Sequence, residues 1–339
     1  MIRRSHLPSK SSERAVLRKI YRESDFSRVE EGERPDFVLW RTERSQPFGA
    51  EITEFYHSEA AARLRKVPDY VSRLLSGGPP LHKDDRSAFT VDDVTITGPD
   101  GTFKAKTKAI IEKLPVLSDY TAMVAETIKE KSDALADYRA DLSHTNLIIS
   151  DDSRGLSTVG VEHFATLMLS DLVRGAISAS GFREIHFLTA MRGNKEVYFP
   201  LKQLILLRDL FLFKGALVEF AKEHARVLLS EPDEMFLYAW HLQWLGFHPT
   251  LLTTPRGSEV LLGNSGALVE NEGVVVHDYT DDAMPTGTEP LPPSPDFQRL
   301  FPEAYSNFVA NHMFTSGLAY SAITKAPITP ANNEPWGAV

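Results

Sequence analysis

The sequence contains no cysteine. Structural disulfides, thiolate nucleophiles and every cysteine-ligated zinc or iron–sulfur site are therefore excluded, and a reducing cytosol accounts for the absence. Long apolar runs are missing too. The greasiest stretch, Leu201–Val218, is interrupted by Lys202, Gln203, Arg208, Asp209 and Lys214 and is too polar to span a bilayer. The first residues are basic, but no apolar segment follows them, so neither a secretory signal nor an anchor is expected and the expected location is the cytoplasm. There is no glycine-rich phosphate loop, no nucleophile elbow and no HExxH helix, so ATP hydrolysis, serine-esterase chemistry and zincin proteolysis lack their parts. Positive charge is in deficit as well: the net charge of −9 argues against a protein that coats nucleic acid with a broad basic surface, though not against a local cleft.

What is present is ordinary globular material. Hydrophobic residues make up 42% and charged residues 24% of 339 positions, enough to build one large domain or two of about 100–200 residues. Charge is unevenly spread: residues 1–22 carry seven Arg/Lys against one Glu, and residues 262–339 carry nine Asp/Glu against two basic residues. A basic head with an acidic tail fits one phosphate-facing edge as well as plain solvated faces.

Ser12 with Glu13 one residue on predicts a helix over 12–23, with Ala15, Val16, Leu17, Ile20 and Tyr21 on its apolar side. After a turn-rich stretch, PDFVLWR (35–41) and FGAEITEFY (48–56) read as two strands of a hairpin. A helix broken at Pro68 follows over 60–75, then a Gly/Pro loop leading to a short strand pair that turns at Pro99-Asp100-Gly101. Residues 104–141 read as mostly helical, where Lys104, Lys106, Lys108 and Lys113 could touch a nucleic-acid backbone but more often form a solvated face. Buried strands are expected at 145–151 and 184–190, joined by a helix ending at Gly181 in a βαβ crossover. Beyond Phe199 two helices (200–228 and 233–246) precede short strands at HPTLLTT, SEVLLG and GVVVHDY and a helical patch near 298–315, and the last dozen residues should be loosely held. The apolar helices of 200–250 are a candidate homodimer interface.

The chemistry sits on the hairpin. Strand alternation puts Glu51, Thr53 and Phe55 on one face and Ala50, Ile52 and Glu54 on the other. Asp36, at the start of the neighbouring strand, can come close to Glu51. Two carboxylates that near one another repel, and a divalent cation is the usual compensation. The same residues also fit a purely structural hairpin, with Asp36 capping a turn and Glu51 paired to an Arg such as Arg41. Other candidates are Asp151 and Asp152 at a strand end, which more often cap a turn, and His241 with Trp244 on one helical face, which usually means packed core.

Pro35-Asp36 at a strand start after a helix with an early Glu, followed by a hairpin into Glu51-Ile52-Thr53, resembles the PD-(D/E)XK nuclease superfamily, a restriction-endonuclease-like α/β fold with an αβββαβ core. The likeness covers roughly 12–57 and 140–190 and implies a nuclease core over 1–198 with an insertion at 60–140. Residues 199–339 would form a mainly helical C-terminal region. FGAEITEFY, the His82-Lys83-Asp84-Asp85 run and Tyr138 before NLIISD also look like a bacterial group without assigned function. The resemblance implies that Asp36, Glu51, the Ile52 carbonyl and Glu13, with Glu23 in reserve, hold Mg²⁺ or Mn²⁺. It further implies hydrolysis of a phosphodiester in nucleic acid, DNA before RNA, in microbial defence or DNA processing. Thr53 stands where the motif has Lys, and a neutral hydroxyl cannot supply that charge. Lys83 is the expected replacement. A nuclease-like binding module without catalysis is the alternative that Thr53 permits.

Overall fold

The computed structural model describes residues 10–98, 101, 104–151, 156, 161–191, 195–270, 273–279 and 285–312. Helix α1 (Lys10–Ile20) leads into a meander of β1 (Arg28–Glu31), β2 (Phe37–Trp40) and β3 (Phe48–Phe55). There follow α2 (Glu59–Lys66), α3 (Tyr70–Leu75), α4 (Asp85–Ala88), β4 (Phe89–Thr97), β5 (Lys104–Glu112) and α5 (Leu117–Asp133). Then come β6 (Thr145–Asp151), α6 (Val161–Met168), α7 (Asp171–Ala179), β7 (Ile185–Met191) and β8 (Lys195–Pro200). The C-terminal part holds α8 (Leu201–Leu228), α9 (Glu234–Trp244), β9 (Thr250–Thr254), β10 (Gly257–Leu262), β11 (Ser265–Glu270), β12 (Gly273–Asp278) and α10 (Pro295–His312).

The main sheet runs β1-β2-β3-β6-β7-β8. Its centre is parallel, β3 with β6 and β6 with β7, while β2 and β8 run against their neighbours. All seven residues of β6 are buried, as a strand covered on both faces requires. Period-two alternation in β3 decides what each layer receives. Ala50 and Ile52 face the α1 side, where Leu17 and Tyr21 pack on Phe37, Phe48 and Ile148. Phe55 faces the other layer with Leu147, Ile149 and Phe187, under the Tyr120, Val124 and Ile128 stripe of α5. That i, i+4, i+8 stripe is why α5 lies on the sheet rather than in solvent.

The mixed α/β class and most elements agree with the sequence-based expectation; β1, β5, β8 and β11 do not. Residues 104–112 form a strand, not a helix, because they pair over their full length with β4. The short, polar β1 and the strand β11 carry no recognisable alternation and exist because a neighbour offers a ladder. The turn residues Pro99 and Asp100, Asp152 and the tail beyond His312 lie outside the described residues.

One hydrophobic cluster extends from Phe55 through α8 and α9 to Tyr305 on α10, crossing the expected 198/199 boundary without a break. At Gly215 the two helices α8 and α10 approach so closely that a Cβ would stand 2.3 Å from the Phe308 ring. Most of the apolar surface of α8 is used inside the chain, with Phe211 and Val218 left exposed. No helix among the described residues is long and apolar enough to cross a membrane.

Candidate functional site

Strands β2 and β3 pair Phe37 with Ala50 and Val38 with Gly49, and Asp36, just before β2, lies near Glu51, just past the last pair on β3. The two carboxylates are close enough for the charge of Asp36 to act on Glu51, but they are held from different layers. The ladder ends at the pair of Phe37 with Ala50, and the Asp36 side chain takes over: its Oδ2 accepts the Ile52 N–H at 2.9 Å. Its Oδ1 accepts from the Lys10 ammonium at 2.8 Å, and the same ammonium lies 2.8 Å from Glu13 Oε2. Glu13 is one turn along α1 from Lys10, which is how the helix brings both groups to the end of β2.

Glu51 is held from the opposite layer. Lys131, in the last turn of α5, donates to its Oε1 at 2.7 Å, and the Tyr138 hydroxyl lies against the same carboxylate. All three acids are buried, at 5% exposure for Glu13, 8% for Asp36 and 6% for Glu51. Burial, reinforced by the charge of Asp36, pushes the Glu51 carboxyl above the usual range, against the pull of Lys131 and Tyr138. Burial likewise raises Glu13, against Lys10. For Lys10 burial works downward, but its bonds to Asp36 and Glu13 outweigh it and hold the ammonium above its ordinary value. Burial and the neighbouring Glu51 raise Tyr138.

The structure thus joins Asp36 to Glu13 through Lys10 and to the Ile52 N–H, with Glu51 near enough to feel the Asp36 charge, and Thr53 sits one repeat along the Glu51 face of β3. It does not bring Lys83. That residue is exposed in the turn before α4, and the turn is tied elsewhere: buried Asp85 accepts from Arg63, from the Tyr70 hydroxyl and from the His82 N–H. The amine on Glu51 comes instead from Lys131. Its signal in the sequence was its place three residues after Ile128, at the end of the α5 apolar stripe, where a lysine must point at the sheet. Glu23 is engaged outside the cluster, where hydrogen bonds from Arg14 and Arg18 hold its carboxyl down at about 2. The ion pair seen for Glu51 is with Lys131.

The remaining sequence candidates are structural. Asp151 accepts from Tyr120 at 2.8 Å and Thr189 at 2.9 Å, fastening α5 to the sheet. His241 is fully buried among Phe213, Phe301 and Tyr305, and burial drops its imidazole to about 3.

By chemistry, buried carboxylates such as Glu13, Asp36 and Glu51 suit a hard divalent cation. Glu51 Oε2 is buried and takes no well-formed hydrogen bond among the described residues, so it has a lone pair to offer. Among the described residues no three acidic or imidazole groups converge as a ready-made metal cage. The Lys10 ammonium lies between Glu13 and Asp36, where it stands in for a cation. A metal bound by Glu13 and Asp36 would have to take the place of the Lys10 ammonium. No family model, no curated protein and no solved structure matches this chain.

Proposed function

We propose that this chain is a Mg²⁺-dependent (or Mn²⁺-dependent) nuclease of PD-(D/E)XK type that cuts DNA, with Asp36, Glu51, the Ile52 carbonyl and Glu13 as metal ligands. The observation that carries the reading is the pair itself: two buried carboxylates close together, just before β2 and in β3, each with a lysine ammonium on it. The order helix, three-strand meander, helix, strand, and the antiparallel placing of β2 in an otherwise parallel sheet centre, support the restriction-endonuclease-like core. A bound metal would supply a nucleophilic water and offset charge on the phosphoryl oxygens. The chain's own groups do the rest. Asp36 is oriented by the Ile52 N–H, Lys131 fixes Glu51 and puts a cation at the site that Thr53 cannot supply, and Tyr138 holds the carboxylate from the side. The lysine role expected of Lys83 passes to Lys131.

Asp36→Asn and Glu51→Gln should each lower Mg²⁺-dependent cleavage of duplex DNA by 100-fold or more, on the order of removing one strong electrostatic contribution to the transition state, with folding intact. Full cleavage in both variants would sink the proposal. The Lys10 bridge favours a second reading, a nuclease-like binding module whose own lysine has replaced the metal. Calorimetry with Mn²⁺ separates the two, since a module of that kind takes up no metal.

A further inference from the structure

The insertion between β3 and α5 ends in a two-stranded antiparallel ribbon, β4 with β5, nine residues on each strand. Its root is anchored. Phe89, Val91 and Ile110 pack with Leu64, Tyr70 and Leu74, and Glu112 pairs with Arg65 at 3.1 Å and with His57 at 3.7 Å. Past Val91 and Ile110 the hydrophobic support stops, and six residues of each strand project for about 20 Å. An isolated ribbon of two strands is marginal in water, so this one calls for a reason to project.

The cross-strand register sorts its side chains. One face carries Lys104, Lys106 and Lys108 in line, with Thr97 and Thr95 opposite the first two and Asp93 opposite the third, all six exposed. The reverse face holds Val94, Ile96, Ala105, Thr107 and Ala109, with Asp92 its one charge along this projecting part. Lysines on exposed strands also guard an edge against pairing, but that purpose is served by charges of either sign on either face. Here three like charges stand about 7 Å apart on a single face of a chain whose net charge is −9, and among the described residues none of the three forms an ion pair.

We propose that this lysine face is a docking surface for the phosphate backbone of duplex DNA. The stripe spans about 13 Å, a length of duplex carrying about eight phosphates, and the threonine hydroxyls beside it are further donors to phosphate. The occupant is B-form DNA because a two-stranded ribbon fits a major groove about 12 Å wide, whereas the deep, narrow groove of A-form RNA admits no such element. His57, at the ribbon's root, follows Glu51 by six residues, four of them in β3, so the root lies within about 20 Å of the Glu51 carboxylate. The ribbon root would meet the same duplex within about six base pairs of the cut. That positioning rests on the nuclease reading, and the contact itself does not.

The test is fluorescence anisotropy of a labelled 30-base-pair duplex titrated with the full chain in EDTA, where metal-dependent cleavage is off, over a series of KCl concentrations. The variant is Lys104→Thr/Lys106→Thr/Lys108→Thr, which keeps strand-forming side chains. The charge-matched control is Lys129→Gln/Lys214→Gln/Lys222→Gln, on α5 and α8. The stripe variant should lose at least tenfold in affinity, and its plot of log K against log salt should flatten by about 2.7, three phosphates at 0.9 each. The control should keep the wild-type slope. Lys106→Glu alone, with a circular dichroism spectrum unchanged, should weaken binding further than removal of one charge would. Unchanged slope and affinity in the stripe variant, equal loss in the control, tighter binding to A-form RNA than to the duplex, or no wild-type binding would each overturn the proposal. Duplex binding that depends on the stripe, in a protein that never cleaves with Mg²⁺, would leave the surface standing and remove the nuclease. Mg²⁺-dependent cleavage lost in Glu51→Gln but indifferent to the stripe would do the reverse.

Discussion

Replacing Lys10 by Met tests whether its ammonium fills the place of a metal ion. The substitution keeps the length and apolar stem of the side chain and removes the charge that lies 2.8 Å from both Glu13 and Asp36. Those two acids, each more than nine-tenths buried, then lie side by side without a cation of their own, while Lys131 stays on Glu51. Stripping one partner from a fully buried ion pair costs about 3–5 kcal/mol. The Lys10 side chain is 30% exposed, and solvent screening brings the expected loss down to about 2–3 kcal/mol in EDTA at neutral pH. The sign with pH follows from Glu13, whose carboxyl is already raised. A carboxyl with a raised folded-state pKa is stabilising below its unfolded value and loses that contribution as pH rises through the folded value. The deficit of the variant should therefore be small near pH 4 and full at pH 8. A divalent cation should then repair the variant: at a concentration about 100 times its dissociation constant it returns about 2.7 kcal/mol. The assay is urea unfolding of both proteins in EDTA and in MgCl₂, with calorimetry expected to show metal binding at least tenfold tighter in the variant. Equal stability of the two proteins in EDTA, or equal stabilisation of both by Mg²⁺, would refute the reasoning.

Three further outcomes are expected. Lys131→Met should abolish Mg²⁺-dependent cleavage while Lys83→Ala leaves it unchanged, and a nuclease assay giving the opposite ranking would return the lysine role to the turn before α4. Glu184, fully buried, is pushed by desolvation up to about 7. Its folded pKa exceeds the unfolded value, so it costs stability as pH rises from about 4.5 to 7, by about 3 kcal/mol for a shift of this size. Unfolding free energies from pH 5 to 8 should show a shallower decline in Glu184→Gln, and parallel profiles would count against it. Arg63→Met leaves the Asp85 carboxylate, at 0% exposure, without its cation and should cost about 3 kcal/mol, read by urea unfolding and by faster proteolysis at 76–84.

The part of the site carried by one hairpin was legible in the sequence. Pro35-Asp36 and Glu51 sit on strands with enough apolar residues to declare themselves, and a period of two says which face each side chain takes. The cations were hidden because they arrive from helices far along the chain: Lys131 is 80 residues from Glu51, and only the packing of the α5 stripe on Leu147 and Ile149 brings it there. Lys10 was overlooked for a different reason, since a lysine at a helix start with a glutamate one turn on is ordinary surface. The segment KAKTKAIIE was misread because Lys, Ala and Glu favour helix locally. Nine cross-strand pairs with β4 override that preference, and the alternation of its lysines was the clue.

The two oxygens of Asp36 have separate employments. Oδ2 completes the β-ladder at the Ile52 N–H, a mechanical duty that a neutral amide oxygen performs equally well, while Oδ1 carries the charge that answers a cation. An alanine at this position would orphan a buried N–H and delete the charge in one stroke, so a dead alanine variant says little about chemistry. Asparagine parts the two duties: whatever it loses belongs to the charge, and whatever alanine loses beyond that belongs to the sheet.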